Sequence, residues 1–228
     1  MICIIQARYS SKRFPGKVLK KLSGEIILKR VIKQVKKSKK INKIIVATSK
    51  HHTDSKIINF CLRNKIDFSI GPLHNVFKRF YLVLNNKNFP SFVRITADSP
   101  ILDPNLIDRA INLFKINNLD IVTNVFPRTF PKGFSIEVVR SKLIIDNLIK
   151  IKKSKHKEHL TSFFYDNYKK FKIKNFLNKI DYSNINLSID NRCDFVRVNK
   201  ILKYNKKQSI DLNRAVFLYN KLFYEKKT

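Results

Sequence analysis

Cysteine, long apolar runs and acidic side chains are all scarce in this chain. Cys3, Cys61 and Cys193 are odd in number, far apart, and form no C-x-x-C or Cys/His cluster. That spacing argues against a disulfide framework and a zinc site and suits a reducing compartment. No apolar stretch approaches the roughly 20 residues of a membrane span, and the N-terminal apolar run is too short, with no basic region before it, for a signal peptide. The expectation is a soluble, cytoplasmic protein with no membrane partner.

Only 16 acidic residues stand against 48 Lys+Arg, a formal net charge of +32. Such a charge usually points to nucleic acid or an anionic surface. Here the cations are scattered, as in Lys36, Lys37, Lys39 and Lys40 or Lys152, Lys153, Lys155 and Lys157, and no reading helix gathers them. The abundance of Lys, Asn and Ile reads as the drift of an AT-rich genome. Weak, salt-sensitive background binding to polyanions is expected, with no specific nucleic-acid partner.

What the chain does have is 228 residues at 43% hydrophobic content, enough for one sizeable core, and one domain is expected. It opens with an apolar strand, Ile2 to Ala7, that runs straight into a loop carrying Arg8, Lys12, Arg13 and Lys17. The Ser10 and Ser11 hydroxyls, the loop amides and a Pro15-Gly16 corner complete a segment suited to gripping a polyphosphate, with Gly16 allowing close backbone approach. Strand, basic loop and then a helix from about Glu25 is the order that sets anion ligands at the carboxyl edge of an open α/β sheet.

Further strands are predicted at Lys43 to Thr48, Asp67 to Ile70, Phe92 to Thr96 and Asp120 to Thr123. Helices are predicted from Glu25 to Lys37, Asp54 to Asn64 and Val76 to Asn86. Another carries Ile107, Ala110, Ile111 and Phe114 on one face behind an Asp103-Pro104 start. This repeated βα order implies a doubly wound, mostly parallel sheet. A turn-rich excursion follows around Phe126 to Gly133, then a strand from Phe134 to Val139 and helices from Lys142 to Ile151 and Glu158 to Tyr168. The segment from about 125 to 170 reads as a small β-hairpin and helix insertion that covers the site or pairs subunits, so a homodimer is a candidate assembly. A strand from Asn186 to Ile189 and a helix with Ala215, Tyr219, Leu222 and Phe223 on one face close the chain.

Because acids are rare, their placement is informative. Asp98 and Asp190 each end a predicted strand, on the edge that carries the basic loop. A Mg²⁺ ion held by one or two carboxylates there would bridge to substrate phosphates. Asp194 reads better as a helix cap, as does Asp103.

With these residues laid out, the chain resembles the cytidylyltransferase group that includes the CMP-KDO synthetases and the spore coat polysaccharide protein SpsF. Ala7-Arg-Tyr-Ser-Ser-Lys-Arg-Phe-Pro-Gly-Lys-Val-Leu19 matches the group's A-R-x-x-S-x-R-x-P-G-K-x-L loop. SpsF-like runs follow at Ala47-Thr-Ser49 with Asp54, Gly71 to Tyr81, Arg94 to Pro100, Phe130 to Gly133 with Glu137, Glu158-His-Leu-Thr161, and Ile189-Asp190. The resemblance implies a single nucleotidyltransferase domain over 1–228 with the GT-A-like nucleotide-diphospho-sugar transferase fold. It implies transfer of CMP from CTP to a sugar or sugar acid for surface polysaccharide, with release of pyrophosphate. By that resemblance Arg8, Arg13 and Lys17 hold the triphosphate, and Ala7, Ser10, Ser11, Ala47, Thr48 and Arg79 belong to the nucleotide side. Arg94, Glu137, Glu158 and His159 fall on the sugar side, and Asp98 and Asp190 bind Mg²⁺. His159 reads equally as a capping or packing residue, and His51, His52 and His74 read as surface loop residues. Asn75, Lys132 and Ser135 stand where SpsF-like chains tend to carry acids, which leaves the sugar open.

Two other readings remain. A glycosyltransferase of the same fold would use a nucleotide sugar and a D-x-D motif, and no such motif lies near a strand end. A non-enzymatic polyanion or nucleic-acid binder would draw on the charge alone.

Overall fold

The computed structural model describes residues 1–85, 87–116, 118–205 and 210–224. In chain order the elements are β1 (Ile2–Gln6), a small hairpin of β2 (Lys21–Leu22) and β3 (Glu25–Ile26), α1 (Ile27–Lys36), β4 (Lys43–Ser49), α2 (Ser55–Arg63), β5 (Asp67–Gly71), α3 (Val76–Leu84) and β6 (Ser91–Thr96). Then come α4 (Pro104–Ile116), β7 (Ile121–Thr123), β8 (Glu137–Arg140), α5 (Ser141–Asn147), α6 (Ser154–Glu158), α7 (Ser162–Asp166), β9 (Ile173–Asn175), α8 (Arg192–Tyr204) and α9 (Leu212–Phe223).

Seven strands form one sheet in the order β5-β4-β1-β6-β8-β7-β9, in which β8 runs against both its neighbours and the other pairings are parallel. The alternation of β1 explains the layering. Cys3 and Ile5 join the core built with α1, α2, α4, α8 and α9, while Ile2 and Ile4 join the one built with α3, α5 and α7. Successive side chains of a strand point to opposite faces, so an unbroken apolar run needs helices on both.

Register decides where the site lies. Gln6 pairs with Ala47 on one side and Thr96 on the other, so β1 and β6 end flush and release Ala7 and Ala97 at one edge, while β4 runs two residues further to Ser49. Because β8 is antiparallel, its first residue Glu137 sits opposite Arg94 and Thr123. Among the described residues, no helix is long and apolar enough to cross a membrane.

Several expected elements differ in form. The segment Asn186 to Ile189 joins no sheet ladder, because its amides are met by separate partners. Leu187 donates to the Lys132 carbonyl at 2.8 Å, Ser188 to the Asn186 side chain at 3.1 Å, and Ile189 to the Asp98 carbonyl at 2.9 Å. The strand expected from Phe134 begins only at Glu137. Of the helix expected from Glu158 to Tyr168 only α7 forms, while Glu158 instead ends the preceding α6: the Ser162 hydroxyl donates to the His159 carbonyl at 2.7 Å, and Thr161 turns inward to Glu137. The helix from Lys142 stops at Asn147 and tightens into a 3-10 turn. α3 ends at Leu84, and Asn86, its expected end, lies outside the described residues. Strand β9 was not among the expected strands, although Phe171-Lys-Ile-Lys174 alternates apolar and basic residues.

Candidate active site

The loop after β1 is shaped by its own backbone. The Tyr9 carbonyl accepts from the amides of Ser11 at 2.9 Å and Gly16 at 2.8 Å. Gly16 has φ 70°, and a Cβ there would come 2.7 Å from the Tyr9 ring. The close approach that requires glycine is therefore to Tyr9, and the resulting turn launches Lys17 into a 3-10 turn, Lys17–Leu19.

Lys17 is 8% exposed, and its ammonium has three partners. It lies 3.0 Å from Asp98 Oδ2, 3.0 Å from Asp190 Oδ1 and 2.6 Å from the Ile189 carbonyl, which uses all three of its donors. Arg13 adds a second cation, 3.1 Å from the same Asp190 oxygen. Burial pushes the Asp190 pKa up, but the hydrogen bond and charge of Lys17, then Arg13 and Lys132, prevail and hold it below the usual aspartate value. The loop thus meets both aspartates, Asp98 just after β6 and Asp190 after an extended segment that is not a strand, although residues 17 and 190 are far apart in sequence.

These groups form one wall of a cavity of about 800 Å³ that also takes in Gln6, Arg8, Ser10, Ser11, Thr96 and Glu158. The Ser10 hydroxyl is buried and has no hydrogen-bond partner. Arg8 crosses to Glu158, the last residue of α6, at 3.0 Å. Asp54, fully buried, holds the loop from behind by accepting from the Tyr9 amide at 2.6 Å, the Ser49 amide at 3.1 Å and the Thr48 hydroxyl at 3.3 Å.

Several residues assigned to the site do not face this cavity. Ala7, just past β1, and Ala47 and Thr48, within β4, are buried, with the Ala7 amide bonded to the Ala47 carbonyl at 3.1 Å. Arg79 is fully buried and donates to the Pro72 and Leu73 carbonyls at 3.2 and 2.9 Å, bracing the loop after β5. Burial lowers its pKa to about 10, which leaves it charged at neutral pH. Glu137 is also buried, bonded to Arg94, to the Thr161 hydroxyl at 2.6 Å and to the Tyr165 hydroxyl, while Arg94 reaches Gln6 at 3.0 Å. Although burial opposes ionisation of Glu137, Arg94 and the two hydroxyls lower its pKa. Burial and the adjacent Glu137 charge raise the Tyr165 pKa well above its usual value. Arg94 and Glu137 therefore form a strut from β1 to α7. His159 is exposed at the end of α6, and the buried histidine is His156, 3.2 Å from the Ser162 hydroxyl. Asp194, expected as the N-cap, instead stands in the first turn of α8: Asn191 is the N-cap, and Asp194 closes the capping box by accepting from the Asn191 amide.

His51 and His74 line the cavity instead of lying idle on the surface, and the sequence around them held no sign of it. Asp54 was legible only through its SpsF-like spacing from Ser49. The donor set bears on a magnesium ion: Asp98 and Asp190 converge on one ammonium, two hard oxygen ligands on a wall that adjoins the basic loop. That fits an ion that takes one or two carboxylates and completes its shell with phosphate oxygens and water. Among the described residues no group of three or more His, Cys, Asp or Glu could hold a metal.

The cytidylyltransferase family model matches residues 2–223. An uncharacterized protein of Methanocaldococcus jannaschii is 31% identical over 97% of this chain and 90% of its own length. The spore coat polysaccharide biosynthesis protein SpsF of Bacillus subtilis is 30% identical over 72% of this chain and 69% of its own. Among solved structures, a cytidylyltransferase from Leptospira borgpetersenii superposes with TM-score 0.91 at 26% identity, covering 97% of this chain and 94% of that one. A CMP:2-keto-3-deoxy-manno-octonic acid synthetase solved with CTP shares the fold, with TM-score 0.68 at 14% identity, over 90% of this chain and 99% of that one.

Proposed function

The chain belongs to the cytidylyltransferase family, and on that footing we propose that it uses CTP to transfer CMP to a sugar or sugar acid, releasing pyrophosphate, in surface polysaccharide synthesis. The observation that carries this reading is the Lys17 ammonium, 3.0 Å from both Asp98 and Asp190 in the wall of the basic-loop cavity. The relatives named for spore coat polysaccharide and for CMP-linked octulosonate support the choice of nucleotide and the class of acceptor.

Arg8 and Arg13 bind the triphosphate oxygens, the free Ser10 hydroxyl donates to one of them, and Lys17, its three donors already engaged, holds Asp98 and Asp190 together beside them. Asp98 and Asp190 would hold Mg²⁺, which would supply positive charge to the reacting phosphates. A sugar oxygen forms a bond to the α-phosphorus as the bond from that phosphorus to the bridging oxygen breaks, and pyrophosphate leaves. No Ser or Cys nucleophile takes part, so the chain contributes orientation and electrostatic stabilisation.

A thermal-shift screen of CTP, UTP, ATP and GTP with Mg²⁺ tests the reading. Ligand at about 100 times its dissociation constant stabilises by about 2.7 kcal/mol, so a bound nucleotide is readily seen. Stabilisation by CTP above the other three is expected, followed by pyrophosphate release when sugar acids are added. Equal stabilisation by all four, or by none, overturns it.

A further inference from the structure

The Arg8–Glu158 pair is a contact across the cavity that a triphosphate bound by Arg8 has to disturb. Arg8 comes from the loop after β1 and Glu158 from the end of α6, and both side chains line the cavity. They meet at 3.0 Å with 37% and 33% of their side-chain surface still exposed. The contrast with Lys17 is physical. Lys17 is buried with its donors saturated, whereas Arg8 is held by a single, partly hydrated carboxylate, a kind of pair whose strength is typically below about 1 kcal/mol.

A triphosphate offers the same guanidinium several anionic oxygens in the geometry its planar fork prefers. It also brings negative charge beside Glu158, so keeping both anions on one guanidinium carries a like-charge penalty. Arg79 lies close enough for Arg8 to lower its pKa and Glu158 to raise it, so Glu158 now moderates the repulsion between two guanidinium groups. A bound triphosphate takes over that task.

We propose that Glu158 and the nucleotide triphosphate are alternative partners of Arg8: the carboxylate occupies the guanidinium in the free protein, and nucleotide binding displaces it. Glu158 thereby lowers nucleotide affinity, and its carboxylate is uncovered in the cavity only once nucleotide is bound. The inference rests on the cytidylyltransferase reading, in which Arg8 is a triphosphate ligand.

Calorimetric titration of the full chain with CTP and MgCl₂ tests it through a double-mutant cycle. Glu158→Gln, which keeps shape and removes charge, is expected to tighten CTP binding roughly fivefold, the affinity equivalent of one exposed ion pair. Arg8→Gln is expected to weaken binding, and adding Glu158→Gln to it should bring no further gain. Glu158→Asp, too short to keep the 3.0 Å contact, should reproduce the gain and serves if the glutamine variant folds poorly. Unchanged or weaker binding in the folded Glu158 variants, or a gain that persists without Arg8, overturns the proposal while leaving the family reading intact. A folded wild-type protein that binds no CTP would overturn both.

Discussion

The main-chain amide of Tyr9 donates a 2.6 Å hydrogen bond to the carboxylate of Asp54, which lies fully buried in the turn between β4 and α2. Through it the phosphate loop is tied to the neighbouring strand, and Ser49 and Thr48 complete the tie. Asp54→Ala leaves the Tyr9 and Ser49 amides unpaired. It is expected to cost about 2–3 kcal/mol in stability by urea denaturation, since orphaned buried donors carry about 1–3 kcal/mol each. The loosened loop should also raise the KM for CTP more than it lowers kcat.

Asp98→Ala and Lys17→Met separate the roles of anion and cation at the shared contact. Asp98→Ala should raise the Mg²⁺ concentration needed for half-maximal pyrophosphate release and cut turnover by on the order of 10²-fold. Lys17→Met should lower kcat/KM for CTP on a similar scale, and Lys17→Arg should not restore it, because a planar guanidinium cannot meet three converging acceptors in a buried site. Wild-type turnover in Asp98→Ala excludes a metal role for that residue.

Glu137 makes stability depend on pH in a stated direction. Its folded pKa is lowered from the ordinary 4.5, so its stabilising contribution is fully present above that value and is lost as pH falls through the lower folded value. Glu137→Gln leaves the Arg94 guanidinium without its carboxylate and should cost about 3 kcal/mol at neutral pH. The gap between wild type and variant should narrow in urea titrations repeated below pH 4.5. A gap that stays constant with pH removes Glu137 as its source.

Gly133 fixes the approach of two chain segments to the site. It has φ 101°, and a Cβ there would lie 2.7 Å from the Leu187 carbonyl carbon, three residues before Asp190. Both the torsion and the contact oppose a side chain, so Gly133→Ala should destabilise by at least about 1 kcal/mol. It should also lower pyrophosphate release by shifting Asp190 away from Lys17. Full activity would show that the Asp190 segment is held independently of this turn.

Much of the fold was legible because its signals are local. The apolar run of β1, the periodic face of α4 behind Asp103-Pro104, and the βα order each depend on residues within a turn or two of one another. Asp98 followed a readable strand, and Asp190 was taken to end one. The segment before Asp190 proved to be extended chain bonded to Lys132 and Asp98, a pattern that exists only once those segments arrive. The break between α6 and α7 is similar, since Thr161 leaves the helix for a carboxylate on β8.

By itself the sequence determined that a basic loop follows a two-faced buried strand and that aspartates lie near its carboxyl edge, because period and order along the chain suffice for that. Only tertiary structure decided which charges meet. It put Lys17 between Asp98 and Asp190, turned Arg79 and Glu137 inward as braces, and set Glu158 against Arg8. Those outcomes depend on register, on the reversed direction of β8 and on close packing between distant segments, and no local pattern of residues encodes such distances.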